Sequence, residues 1–207
     1  PFKVFYDYKK EGIWQLGEEA AAAANGQEPG DIKVQDVDGN GVITTDDRII
    51  YSQRPDVTFG FNNTFNYKGF DLSVFLYARL GQWIAYDYNT TYRINALENG
   101  GNVDYWTPEN PTNAFPRPNK SKSYTQVTYY STLKYEDGSF FKIRDITLGY
   151  TFKPELLKHL NLSRLRVYAT AKNFFTFSKI DNYDPEQGGS ISFPMTKQLV
   201  FGLNVEF

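Results

Sequence analysis

The amino-acid sequence predicts an all-β chain of six antiparallel strands, and three observations carry that reading. The first is composition: 17% of the 207 residues are aromatic, with 16 Tyr and 17 Phe against one Met, beside 16 Gly and 10 Pro. Aromatic side chains pack on pleated surfaces, and Gly and Pro punctuate them. The second is alternation, cleanest from Lys197 to Phe207. There Leu199, Phe201, Leu203, Val205 and Phe207 share one face of a strand, while Gln198, Gly202, Asn204 and Glu206 share the other, with Val200 the exception. The third is that the apolar face is continuous along such stretches. A strand set between hydrocarbon and water needs that pattern, so the six strands suit the wall of a transmembrane β-barrel.

Composition excludes several other classes. A formal charge of -2 gives no reason to expect nucleic acid as a partner. The absence of Cys removes disulfides, thiolate metal sites and Cys nucleophiles. No run of 18 apolar residues exists and mean hydropathy is -0.53, which excludes a transmembrane helix but not a barrel, whose strands are polar at every second position.

The first strand is placed near residues 1–9, with Phe2, Val4, Tyr6 and Tyr8 on one face. Because the chain opens directly on this strand without a signal-peptide pattern, it is expected to be a fragment, or a processed part, of something longer. Residues 10–54 form the first long loop. Within it Glu18, Glu19 and Ala20 to Ala24 predict a short helix stopped at Asn25-Gly26, too poor in large apolar residues to join a core.

Asp36 to Asp47 is the sharpest chemical signal. Asp36, Asp38 and Asn40 stand at positions 1, 3 and 5 of an EF-hand-type loop, Gly41 at the position 6 turn, Val42 at 7 where a carbonyl is offered, and Asp47 at 12. Hard cations take several oxygens converging on a tight turn, so these five residues are expected to hold one structural Ca²⁺. Two features depart from the pattern: position 12 is Asp rather than the longer Glu, and no long flanking helices are evident. A solvated Asp/Asn/Gly turn is the plainer reading of the same residues.

Residues 55–68 and 70–82 predict a hairpin turning at Lys68-Gly69, with Val57, Phe59, Phe61, Phe65 and Tyr67 on the same kind of face as Phe70, Leu72, Val74, Leu76, Ala78 and Leu80. Each arm has the roughly 9 to 11 residues that a tilted strand needs to cross a bilayer. Residues 83–138 form a second long loop, rich in aromatic residues and Pro. The fourth strand, 139–152, has its apolar residues on both parities: Phe141 and Ile143 oppose Ile146, Leu148, Tyr150 and Phe152, and a bulge near Arg144-Asp145 reconciles them. The fifth, 163–177, sets Leu165, Val167, Ala169 and Ala171 against Arg164, Arg166 and Lys172. In hydrocarbon each such charge costs about 2 to 4 kcal/mol, so that face, with Asp71 and Arg79, belongs to a wet lumen. A loop at 178–196 precedes the last strand, 197–207. No catalytic arrangement is found: the one histidine, His159, falls on a short turn, and no glycine-rich phosphate loop or paired carboxylates stand out.

Several segments resemble a known family. Pro29-Gly30-Asp31-Ile32-Lys33 with Asp36 to Gly41, Tyr67 to Ser73, Tyr105 to Pro111, Asp137-Gly138-Ser139-Phe140, Leu148 to Phe152 and Asp184-Pro185-Glu186 are similar, in order and spacing, to the C-terminal part of SusC/RagA-type TonB-dependent outer-membrane transporters of Bacteroidetes. The resemblance implies about the last quarter of a plugged barrel of roughly 22 strands, with the loops at 10–54, 83–138 and 178–196 extracellular. It implies import of oligosaccharides or peptides across the outer membrane, with TonB acting through an N-terminal part absent from this sequence. The implied partners are the remainder of the barrel and its plug, outer-membrane lipid, and a SusD-like surface lipoprotein serving as a lid. Trp83, Tyr86, Tyr88 and Trp106 then become candidates to meet ligand or lid, with an interfacial belt or internal packing the plainer reading. Phe207 becomes the mark read by the outer-membrane insertion machinery. The rival class is a secreted calcium-binding β-sandwich, such as a glycan-binding module, which also uses short alternating strands and a calcium loop.

Overall fold

The computed structural model describes residues 3–96, 100–193 and 195–207. Strands dominate them: β1 (Val4–Tyr8), β2 (Lys10–Ile13), β3 (Ile32–Val34), β4 (Arg48–Ser52), β5 (Val57–Tyr67), β6 (Phe70–Leu80), β7 (Trp83–Ala85), β8 (Tyr135–Asp137), β9 (Phe140–Thr151), β10 (Arg164–Ser178) and β11 (Gln198–Glu206). Two short α-helices accompany them, α1 (Glu19–Ala24) and α2 (Pro154–Leu157). The chain divides into two compact units. One takes the chain up to Arg54 with Trp83–Asp137 and Gly188–Ile191; the other takes Pro55–Gln82, Gly138–Gln187 and Ser192–Phe207.

The second unit is a five-stranded antiparallel sheet in the order β11-β10-β9-β6-β5. Lys68 (φ 48°) and Gly69 (φ 89°) both take the left-handed conformation that closes the two-residue β5–β6 turn, and the two arms pair without a slip from Val57↔Leu80 to Tyr67↔Phe70. The mixed parity of β9 is resolved by a bulge at Arg144. Phe75 pairs with Asp145 and the next residue, Leu76, with Ile143, and β10 shifts register at the same level, between Lys172 and Phe175. One extra residue re-aims everything beyond it. Phe141 and Ile143 therefore join Ile146, Leu148 and Tyr150 on one face, opposite Ala78, Leu76, Val74, Leu72 and Phe70. Phe175 and Phe177 of β10 and Leu199, Phe201, Leu203 and Val205 of β11 continue that face, and its paired positions carry no Asp, Glu, Lys or Arg. Much of it is uncovered: Phe201 is 74% exposed and Leu203 68%.

The first unit departs most from expectation. The predicted first strand forms as β1, but it pairs with β4 in a two-stranded sheet of its own, so the large sheet has five strands and not six. Aromatic packing within this unit accounts for the choice. Phe5 lies opposite Tyr51, and Tyr135 packs on both, tilted against Phe5 at 5.0 Å between ring centroids and stacked on Tyr51 at 4.8 Å. Segments expected as loops, 10–54 and 83–138, hold β2, β3, β4, β7 and β8 and build a core of Ile13, Ile32, Val34, Trp106 and Leu133. These apolar residues lie far apart in sequence and follow no period, so only folding brings them together. Helix α1 also contributes to the interior, since Ala22 is fully buried.

Candidate functional site

Three groupings carry chemistry. The first is the turn from Asp36 to Asp47. Asp36 accepts from the backbone N–H groups of Gly39 (2.8 Å) and Gly41 (2.7 Å), which curl the chain over its carboxylate, and Asn40 Oδ1 accepts from Val42 N–H at 2.8 Å. Asp47 closes the turn from below. It is fully buried and accepts from Val37 N–H and Thr44 N–H, both at 2.7 Å, the second as part of a capping box that starts the helical turn Thr45–Asp47. These N–H groups, Thr44's foremost, hold its carboxyl below the usual range, so it is anionic at neutral pH.

One carboxylate oxygen from each of Asp36, Asp38 and Asp47 lies within 4.8 Å of the others. Ligands about 2.4 Å from a central Ca²⁺ span at most about that distance, so the three fit around one such ion. Both oxygens of Asp47 already accept hydrogen bonds, but a carboxylate oxygen has a second lone pair and remains available. Val42 and Asp38 are exposed.

The second grouping is the aromatic set. Trp83 is half-buried with its ring edge-on to Tyr51 at 4.8 Å. Tyr86 is 5% exposed and lies 5.9 Å from Tyr88, whose hydroxyl donates to Asn102 O at 3.2 Å. Trp106 is 4% exposed, packed in the core, and its Nε1 donates to Gln15 Oε1 at 2.8 Å. The indole expected to meet a ligand therefore serves packing. Isolated aromatic residues in a long loop look alike in sequence whether they stack on a partner or on each other.

The third grouping lies on the polar face of the five-stranded sheet. Arg166 grips Asp71 with two bonds, Nε at 2.8 Å and Nη2 at 2.5 Å, and a Cβ at Gly149 would come within 2.6 Å of both partners, so only glycine leaves the pair room. Lys142 has no exposed side-chain surface and bonds Asp184 (2.6 Å) and Glu186 (2.8 Å), while Arg144 reaches Glu186 at 3.1 Å. Exposed pairs complete the face, Arg164 with Glu206 at 3.3 Å and Lys172 with Asp145 at 3.9 Å. Arg79 donates to Tyr77 Oη on the same face. The sequence placed Arg164, Arg166, Lys172, Asp71 and Arg79 together here; it did not reveal the Lys142 cluster, whose members are about forty residues apart.

No family model matches the chain. It is 31% identical to TonB-dependent receptor P3 of Formosa agariphila over 98% of its own length and 22% of that protein. It is also 31% identical to TonB-dependent receptor SusC of Bacteroides thetaiotaomicron, over 83% of the chain and 17% of the receptor. Among solved structures it superposes on the RagAB peptide transporter with a TM-score of 0.72 at 23% identity, covering 99% of this chain and 23% of that one. The RagAB peptide importer in its open-open state gives 0.66 at 25%, over 98% and 22%. The chain spans about a fifth of the length of the relatives it matches.

Proposed function

Because this chain is homologous over nearly its whole length to a stretch of the TonB-dependent receptors, SusC among them, we propose that it supplies part of the wall and the surface loops of an outer-membrane importer. The observation that supports this best is the five-stranded sheet with one uncharged apolar face and one ion-paired polar face. In lipid the first face needs no cover, and the second borders a wet lumen. A β-sandwich would bury the first face, yet Phe201 and Leu203 are largely exposed.

The connections suit the same assignment. The β5–β6 link is a two-residue turn and β9–β10 is short, whereas the other ends of β5, β6 and β9 lead into the first unit. In a barrel of this kind the short turns are periplasmic, which makes the first unit extracellular. The remaining wall, the plug and the segment that TonB engages lie in parts of the longer protein outside this chain. A SusD-like surface lipoprotein is the proposed lid, and oligosaccharides or peptides the proposed cargo, with Tyr88 as the retained candidate contact. The Asp36, Asp38, Asn40, Val42 and Asp47 turn is proposed to hold one Ca²⁺ that stiffens the extracellular unit.

Fractionation of cells expressing the complete receptor tests the assignment. The protein should partition with the outer membrane and require detergent for extraction; recovery as a stable monomer from the aqueous fraction would overturn it.

A further inference from the structure

Within the first unit, two short helical turns, Asp87–Thr91 and Tyr130–Lys134, border a cavity of about 320 Å³. The turns are fixed to one another. Asn89, on the first, donates to Leu133 O on the second at 2.8 Å and to Glu136 at 2.9 Å, and Tyr130 Oη donates to Tyr92 O at 2.6 Å. The cavity is thus preformed, and Leu133, 3% exposed, ties it to the core.

Its lining has a definite chemistry. Arg93 and Lys134 bring two positive charges, and none of the described lining residues is acidic. Tyr124, 57% exposed, and Tyr130 form an aromatic wall with centroids 5.9 Å apart. Thr90 and Ser131 add hydroxyl groups; that of Thr90 donates to Asp87 O, which leaves its lone pairs to accept. Cations attract an anion, tyrosine rings stack on the C–H face of a saccharide ring, and hydroxyl groups match its hydroxyls. The volume lies at the lower end for a small-molecule site and suits one or two sugar units. An extended peptide is less well served. It binds by adding to a strand edge, and this cavity is edged by two helical turns instead.

The geometry points to a subsite for an acidic sugar, a saccharide ring whose carboxylate or sulfate is held between Arg93 and Lys134 while Tyr124 and Tyr130 take the ring face. It deepens the importer reading and rests on it, by naming a class of cargo that the receptor samples at its surface.

Titration calorimetry on the complete receptor in detergent tests this with trigalacturonate, a monosulfated galactotriose and neutral galactotriose. At least one acidic probe should bind tenfold or more tighter than the neutral one, and which of the two does so distinguishes carboxylate from sulfate. Arg93→Gln with Lys134→Gln should bring that ratio to within about twofold, and Tyr124→Ala should weaken acidic and neutral probes alike. Retained resistance to trypsin shows that the variants fold, which the exposure of Arg93 and Tyr124 favours. Equal binding of acidic and neutral probes overturns the proposal, as does a preference that survives the double substitution. Binding of hexaglutamate, lost in the double variant, with no acidic-sugar preference would overturn it in favour of a peptide site. Cell fractionation keeps the two ideas apart: a receptor outside the outer membrane removes the importer reading and leaves the calorimetric outcome to stand by itself.

Discussion

Replacing Lys142 by Met removes one charge from the most enclosed ion cluster in the sheet unit. The substitution keeps an unbranched apolar stem in a site with no exposed side-chain surface, so little is lost in packing. What is lost is the cation that Asp184 and Glu186 share, both of them only about a tenth exposed. Glu186 keeps Arg144 at 3.1 Å, whereas Asp184 keeps, among the described residues, the backbone N–H of Glu186 at 3.0 Å. Breaking a buried pair from one side costs about 3 to 5 kcal/mol, and because one of the two carboxylates retains a cation the lower figure applies. At 1.4 kcal/mol per decade, about 3 kcal/mol raises the open population of the segment around Asp184 by about a hundredfold. Trypsin cleavage after Lys179, in the complete receptor in detergent, reads that population when opening is fast relative to cutting. Adding Asp184→Asn and Glu186→Gln should restore much of the resistance, because no buried carboxylate is then left uncompensated and Arg144, which loses Glu186, is 39% exposed and keeps its charge in water. Arg164→Gln should leave the cleavage rate unchanged, since its partner Glu206 is more than half exposed. An unaltered rate in Lys142→Met, or a triple variant cut faster than the single one, would refute the reasoning.

Three further outcomes are expected. Asp36→Ala or Asp47→Ala should weaken Ca²⁺ binding by the complete receptor at least tenfold, read by terbium luminescence and its displacement by Ca²⁺; affinity equal to the parent's removes the calcium assignment. The first unit should lose hydrogen-exchange protection at both extremes of pH. Glu28 is held below its ordinary range by the Arg117 guanidinium, Glu18 by the N–H of Gln15, Asp104 by the hydroxyl of Thr112 and Asp47 by the N–H of Thr44. Depressed carboxyls contribute stability above their unfolded values, about pH 4, and it is lost as pH falls further. Burial raises Tyr51, Tyr92, Tyr129, Tyr130 and Tyr135, the last to about 12, so their contribution is present below about pH 10 and lost as pH rises toward the folded values. Protection that stays flat across either window in peptides from this unit would contradict the assignment. Removing Phe207, 94% exposed beyond the end of β11, should lower the amount of heat-modifiable receptor assembled in the outer membrane while leaving its synthesis unchanged; undiminished assembly would remove the signal role and leave the wall intact.

Alternation alone determined the five strands of the large sheet and which residues share its faces, because a period of two is a local property of extended backbone and survives any tertiary arrangement. The same locality made the Asp36–Asp47 turn legible, since the hydrogen bonds that shape it span ten residues or fewer. Even the bulge was readable, as a break in parity at Arg144, though its partner in β10 was not. Tertiary structure decided the rest. Val4–Tyr8 alternates like a wall strand, yet the rings of Tyr51 and Tyr135 assign it to another sheet, and no local signal ranks one partner edge above another. Trp106 and Tyr86 carry the same side chains in a core as at a binding surface, so their burial depended on contacts far along the chain. The Lys142 cluster and the Arg93 and Lys134 cavity likewise join residues some forty positions apart, at separations where charge and aromatic content leave no periodic trace and only the closed fold brings the partners within bonding distance.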